Sequence, residues 1–159
     1  MRLIRPLVFT AILLALASPA WADLTAFVGT TTTPTNRAAR GFAVGAGLLV
    51  IGFEFEYSDS KEDLVEGAPS LRTGMGNVLI QTPIFVFGMQ PYFTTGGGGF
   101  RENLNGATET SFGANTGGGV KVHLLGPVRA RFDYRLFKLH GDPLFPTVHR
   151  FYVGANLNF

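Results

Sequence analysis

The strongest constraint in this sequence is a period-two alternation of apolar and polar residues that returns from Leu24 to Phe159. Val50–Tyr57 is the clearest run: Ile51, Phe53, Phe55 and Tyr57 fall on one face, and Gly52, Glu54 and Glu56 on the other. Pro127–Lys138 sets Val128, Ala130, Phe132, Tyr134 and Leu136 against Arg129, Arg131, Asp133 and Arg135. His149–Phe159 sets Phe151, Val153, Ala155, Leu157 and Phe159 against Arg150, Tyr152, Gly154, Asn156 and Asn158. Successive side chains of an extended chain point to opposite faces, so each run reads as a strand with one apolar face. Phe112–Leu124 repeats the pattern, with Lys121 and His123 on its polar face. Gly41–Leu48 puts Phe42, Val44, Ala46 and Leu48 on one side, and Phe85–Gly96 does the same with Phe87, Met89, Pro91 and Phe93. Leu24–Thr32 and Leu71–Thr82 are strand-like, with faces that the pattern leaves open.

Composition agrees with strands. The chain has 21 glycines, and each glycine inside a helix costs about 1 kcal/mol relative to alanine. It has no cysteine, which excludes disulfides and thiolate metal sites. Only 15% of residues are charged, which excludes a charge-rich disordered chain.

Met1–Ala22 stands apart. Arg2 and Arg5 precede an eleven-residue apolar stretch, Leu7–Ala17, whose one polar side chain is Thr10. A spanning helix needs roughly 20 apolar residues. Ala20-Trp21-Ala22 fits a small-x-small cleavage site, so 1–22 reads as a secretory signal peptide cut after Ala22, and 23–159 as the mature domain. Without Arg2 and Arg5 the basic side chains number 11, equal to the 11 acidic ones. The basic balance of the whole chain is then no argument for a nucleic-acid partner. The longest remaining apolar run, Phe42–Phe53, has twelve residues and includes three glycines, too few for a helical span.

The connectors alternate in length. Thr33–Ala39, Asp59–Pro69, Gly97–Thr110 and His140–Pro146 are longer and polar, whereas those near Leu49, Pro83 and Gly126 are short. This describes an up-and-down meander of eight strands. Closure is expected, because an open meander leaves two unpaired edges. The short connector Gly47–Gly52 carries no Asn-Gly or Asp-Gly signal and leaves its register open. Alternation alone does not say which face is outside. A soluble carrier turns its apolar face inward around a cavity, and a transmembrane barrel turns it outward.

The final segment, Tyr152-Val153-Gly154-Ala155-Asn156-Leu157-Asn158-Phe159, resembles the C-terminal signature of bacterial outer-membrane barrel proteins. Phe112-Gly113-Ala114, Gly117–Val120 and Phe132-Asp133-Tyr134-Arg135-Leu136-Phe137 look like the sixth and seventh strands of small OmpA-like and opacity-type barrels. Pro91-Tyr92 with the Gly96–Gly99 run looks like the fifth. The resemblance implies an all-β, eight-stranded antiparallel transmembrane barrel in the outer membrane. It also implies that Tyr152, Gly154, Leu157 and Phe159 are read by the barrel-assembly machinery. Expected partners are outer-membrane lipid, lipopolysaccharide, and periplasmic chaperones during biogenesis. A monomer without a cofactor is expected.

The lipid A deacylases within such barrels use a serine two residues after a histidine on one strand. Here His149 is followed at that distance by Phe151, and His140-Gly141-Asp142 has no serine near it in sequence. Catalysis is not expected. Asp59, Glu62, Asp63 and Glu66 could supply oxygens to Ca²⁺, but Lys61 interrupts them and the spacing is not that of an EF-hand. A solvated loop is the favoured reading. Gly96–Gly99 lacks the lysine-serine/threonine pair of a phosphate loop and suits a tight strand end or close packing.

In a closed ring of eight, the third and seventh strands are opposite. Glu54 and Glu56 therefore face Arg129, Arg131, Asp133 and Arg135, with Lys121 and Arg150 from neighbouring strands. An ion-pair network across the interior is expected, because shielded charges must be paired. These candidates number five basic against three acidic residues, so some cation needs a partner from an unassigned strand.

Overall fold

The computed structural model describes residues 21–159 apart from Leu49. The chain forms β1 (Trp21–Thr31), β2 (Arg37–Leu48), β3 (Ile51–Ser60), β4 (Ser70–Gln81), β5 (Met89–Leu104), β6 (Ala107–Leu125), β7 (Val128–Leu139) and β8 (Thr147–Asn158). Each strand pairs antiparallel with the next, and β1 pairs with β8 to close the barrel. The seam runs from Asp23↔Asn158 to Thr31↔Arg150, and the Ala22 and Phe159 backbones exchange hydrogen bonds of 2.9 and 3.0 Å beyond it. Every spanning edge is thereby paired, as a hydrocarbon environment requires. Of the expected leader, Met1–Ala20 lies outside the described residues, including Ala20 of the cleavage motif; Trp21 and Ala22 begin β1.

The apolar face is outside. Phe53 is 63% exposed, whereas Glu56 and Arg131 are fully buried. A soluble carrier would show the reverse. Among the described residues no helix is long and apolar enough to cross a membrane; the strands span instead. Strand partners followed once around the barrel connect Pro91, Val120, Phe132, Val153, Val28, Arg40, Asp59, Arg72 and finally Arg101. The circuit returns to β5 ten residues further along. That stagger goes with strands tilted by roughly 35–45°. The two faces left open are now assigned. Asp23, Thr25 and Phe27 of β1 point inward, as do Leu71, Thr73, Met75 and Asn77 of β4.

Two connectors differ from expectation. Gly97–Thr110 is not a long loop. β5 and β6 continue through it, and only Asn105 and Gly106 turn, with φ of 51° and 86°. Left-handed values at both central residues define the hairpin turn that Asn-Gly favours. The glycine run hides this, because Gly96–Gly99 sits in mid-strand, paired with Gly74–Asn77 and Phe112–Asn115. Conversely, the connector at Pro83 is the longer segment 82–88, tightened by a Val86↔Met89 bridge. Phe87, expected on the apolar face of a strand, turns the corner there with φ 52°. β2 begins at Arg37 rather than at Gly41. The open turn resolves with Leu48 paired to Ile51.

Candidate functional site

The inner wall of β3 carries Glu54, Glu56, Ser58 and Ser60, all buried. Across the lumen, β7 presents Arg129, Arg131, Asp133 and Arg135. Arg131 is the hub. Its two terminal nitrogens grip both Glu54 oxygens, the Nη2–Oε1 contact being 3.1 Å. Nη2 also meets Asp133 Oδ2 at 3.1 Å, and Nε donates to Tyr92 Oη at 2.7 Å. Arg135 donates to Asp133 through Nε at 2.9 Å, reaches Glu54 Oε1 at 3.1 Å and pairs with Glu56 Oε2 at 3.3 Å. Arg150 of β8 binds Glu56 and Ser58. Asp133 accepts hydrogen bonds from both tyrosines, Tyr152 at 3.0 Å and Tyr92 as well. Fork-shaped guanidinium groups suit such shared carboxylates, because each presents several fixed donors.

Six of the eight candidate lumen residues thus form one connected network: Glu54, Glu56, Arg131, Asp133, Arg135 and Arg150. The other two sit closer to the short-turn end. Lys121 pairs with Asp23 of β1. Arg129 donates to Asn158 Oδ1 at 2.8 Å and lies over the Phe85 ring at 4.9 Å. Asn158 in turn donates to Asp23 at 3.1 Å. Asp23 is the partner that the sequence reading lacked, because the faces of β1 were unassigned. Tyr92 was also missed, although it alternates with the outward Pro91 and Phe93. Space for it comes from Gly119: a Cβ there would lie 2.6 Å from Tyr92 Oη.

Toward the opposite mouth the lumen changes character. Leu71, Met75, Phe100, Phe137, Leu139 and Val148 form one buried apolar cluster, with Phe145 of the β7–β8 connector packed on it. Arg150 lies between the two zones, its guanidinium 4.7 Å from the Phe137 ring centre and 5.2 Å from that of Phe27.

The four residues of the assembly signature divide by face. Tyr152 is buried inside, stacked on Phe27 at 4.1 Å. Gly154 also faces inward, and Leu157 and Phe159 are exposed outside. His149 shares a hydrogen bond of 2.8 Å with Tyr134 on the outer face, and His123 packs edge-on against Phe85. In the acidic connector, the Asp63 carboxylate accepts from the Val65 and Glu66 amides, while Asp59 belongs to β3 and pairs with Arg72. Among the described residues no three His, Asp or Glu side chains gather as a metal site.

No family model and no curated protein matches this sequence. Solved structures do match. The N-terminal β-barrel domain of Pseudomonas aeruginosa OprF is similar with a TM-score of 0.67 at 17% identity, over 87% of this chain and 97% of that one. Neisserial surface protein A gives 0.65 at 14% identity, over 89% and 96%. The outer-membrane enzyme PagL gives 0.53 at 10% identity, over 85% and 98%. The fold is that of the eight-stranded bacterial outer-membrane barrels. With an apolar band outside and charges within, it places the protein in an outer membrane. The same fold serves a surface protein and an enzyme, so function rests on the side chains.

Proposed function

We propose that this protein is an outer-membrane barrel of structural or surface-interaction type, with a lumen plugged by its own side chains and no general pore. The observation that carries this reading is the network centred on Arg131, which crosses the barrel from β7 to β3 with every charged member buried. An eight-stranded interior is only wide enough for side chains to fill. A passing ion would have to displace these pairs and strand buried charges, at several kcal/mol each. The apolar cluster adds a second obstruction.

Purified wild-type protein in planar bilayers should give no large, stable single-channel currents, and such currents would overturn the plug. The proposal includes no catalysis: the His149 imidazole engages a tyrosine on the outer face. Lipid A of identical mass with and without the gene is the expected result.

The leader is removed after Ala22, which gives up the Ala22–Phe159 backbone pair at the end of the seam but keeps the Asp23–Asn158 pairing and Asp23 as the partner of Lys121. N-terminal sequencing should then begin at Asp23. Assembly draws on Tyr152, Gly154, Leu157 and Phe159, with the assembly machinery and chaperones as transient partners.

A further inference from the structure

The ionised side chains on the outer wall of the strands are Arg40, Asp59, Arg72, Arg101 and Lys138. All five lie in the halves of their strands next to the β1–β2, β3–β4, β5–β6 and β7–β8 connectors, and none lies in the half toward the short-turn end. Four are basic and one is acidic. Three of the four cations belong to a single row. The spiral of strand partners stays apolar through Pro91, Val120, Phe132, Val153 and Val28, then becomes Arg40, Asp59, Arg72 and Arg101 as it climbs. The change marks the place where the wall leaves hydrocarbon and meets headgroups.

The row is built to hold something. Asp59 takes Arg72 Nε at 3.0 Å and Arg40 at 3.8 Å, so one carboxylate aligns two guanidinium groups that remain 62% and 73% exposed. Arg101 is exposed and has no ion pair among the described residues. Two hollows adjoin the row. A cleft of about 540 Å³ is walled by Lys61, Arg72, Arg101 and Asn103 together with the carboxylates Asp59 and Glu62, so cations outnumber acids there by three to two. An outward groove of about 810 Å³ is headed by Arg40 and Arg72 and continues down over Ala26, Val28, Phe42 and Val153. Cations at the top and an apolar trough beneath match an amphiphile with an anionic head, not a soluble anion. Arginine forks recognise phosphate through two parallel hydrogen bonds, and long basic side chains extend along apolar surface to reach headgroups.

We infer that the Arg40–Arg72–Arg101 row is a binding site for a phosphorylated glycolipid of the outer leaflet, with phosphate on Arg72 and Arg101 and an acyl chain in the groove below Arg40. The inference rests on the outer-membrane reading and names the lipid contact within it.

The test uses the full barrel in phosphatidylcholine nanodiscs, with diphosphorylated lipid A as probe and native mass spectrometry as readout. Wild-type protein should retain the probe at least tenfold better than Arg72→Gln/Arg101→Gln. The dephosphorylated probe should be lost from both, and Lys138→Gln, away from the row, should bind as wild type. Equal retention by the double variant, or equal weakening by Lys138→Gln, overturns the site in favour of diffuse charge. Binding of inorganic phosphate or a soluble sulfated glycan as strong as that of the lipid overturns the lipid assignment. Density fractionation of cells separates the failures: a barrel outside the outer membrane sinks the underlying reading, whereas a correctly located barrel with an indifferent double variant sinks the site alone.

Discussion

The two zones of the lumen share one wall but cohere by different physics. On β7 the inward residues run Arg129, Arg131, Asp133 and Arg135, then Phe137 and Leu139. Arg131, Asp133 and Arg135 join the ionic network, Arg129 bonds Asn158 below it, and the last two enter the apolar cluster. At membrane depth an apolar side chain gains little by turning inward, because lipid is as apolar as the lumen it would fill. Directional pairs do the holding there, and they also fix which strands meet. At the mouth next to the longer connectors, apolar side chains are withdrawn from water, and the ordinary hydrophobic effect operates. Charge therefore specifies the middle of the barrel, and burial seals its end.

This contrast can be tested by substitution, with urea-induced unfolding of the refolded barrel as the measurement. The largest effect belongs to the hub. Arg131→Met leaves Glu54 short of its main partner and should cost about 3–5 kcal/mol, the usual loss when one member of a buried pair is removed. Neutralising Glu54 as well, in Arg131→Met/Glu54→Gln, should return a substantial part of that loss. A double variant as unstable as the two losses combined would show that the pairs act independently, and the contrast would break.

Leu71→Ala in the apolar zone should cost about 2–3 kcal/mol through lost burial and a cavity, with no rescue from a second truncation. Ser60→Ala, which removes a neutral hydrogen bond of 2.8 Å to Thr31, should cost about 1 kcal/mol, placing uncharged lumen contacts well below the ionic ones. Glu62→Ala, in the exposed connector, should stay within about 0.5 kcal/mol of wild type. A larger loss there would assign the connector a structural role that its exposure does not show.

The ionic zone was largely legible before folding because β3 and β7 alternate strictly and each carries its charges on one parity. The apolar zone was not. Its six members come from β4, β5, β7 and β8, and the faces of β4 were ambiguous because Gly74 and Gly76 interrupt the pattern. Phe100 was hidden by the glycines that precede it, which read as the end of a strand. Asn105-Gly106 carried a turn signal, but that run of glycines outweighed it in a reading limited to neighbours along the chain.

The alternation alone dictated strands and their number, because a two-residue period puts every second side chain on one side whatever the strands pack against. It also put Glu54 and Arg131 on the same face of the sheet, and closing eight strands sets the third and seventh opposite each other. Only the tertiary structure decided which face met lipid, because alternation is symmetric under exchange of inside and outside. Only it gave Lys121 to Asp23, placed Tyr92 and Tyr152 on Asp133, and brought Arg40, Arg72 and Arg101 into one row. Each of these depends on register, which is set between strands, where a one-residue slip turns every side chain to the other face.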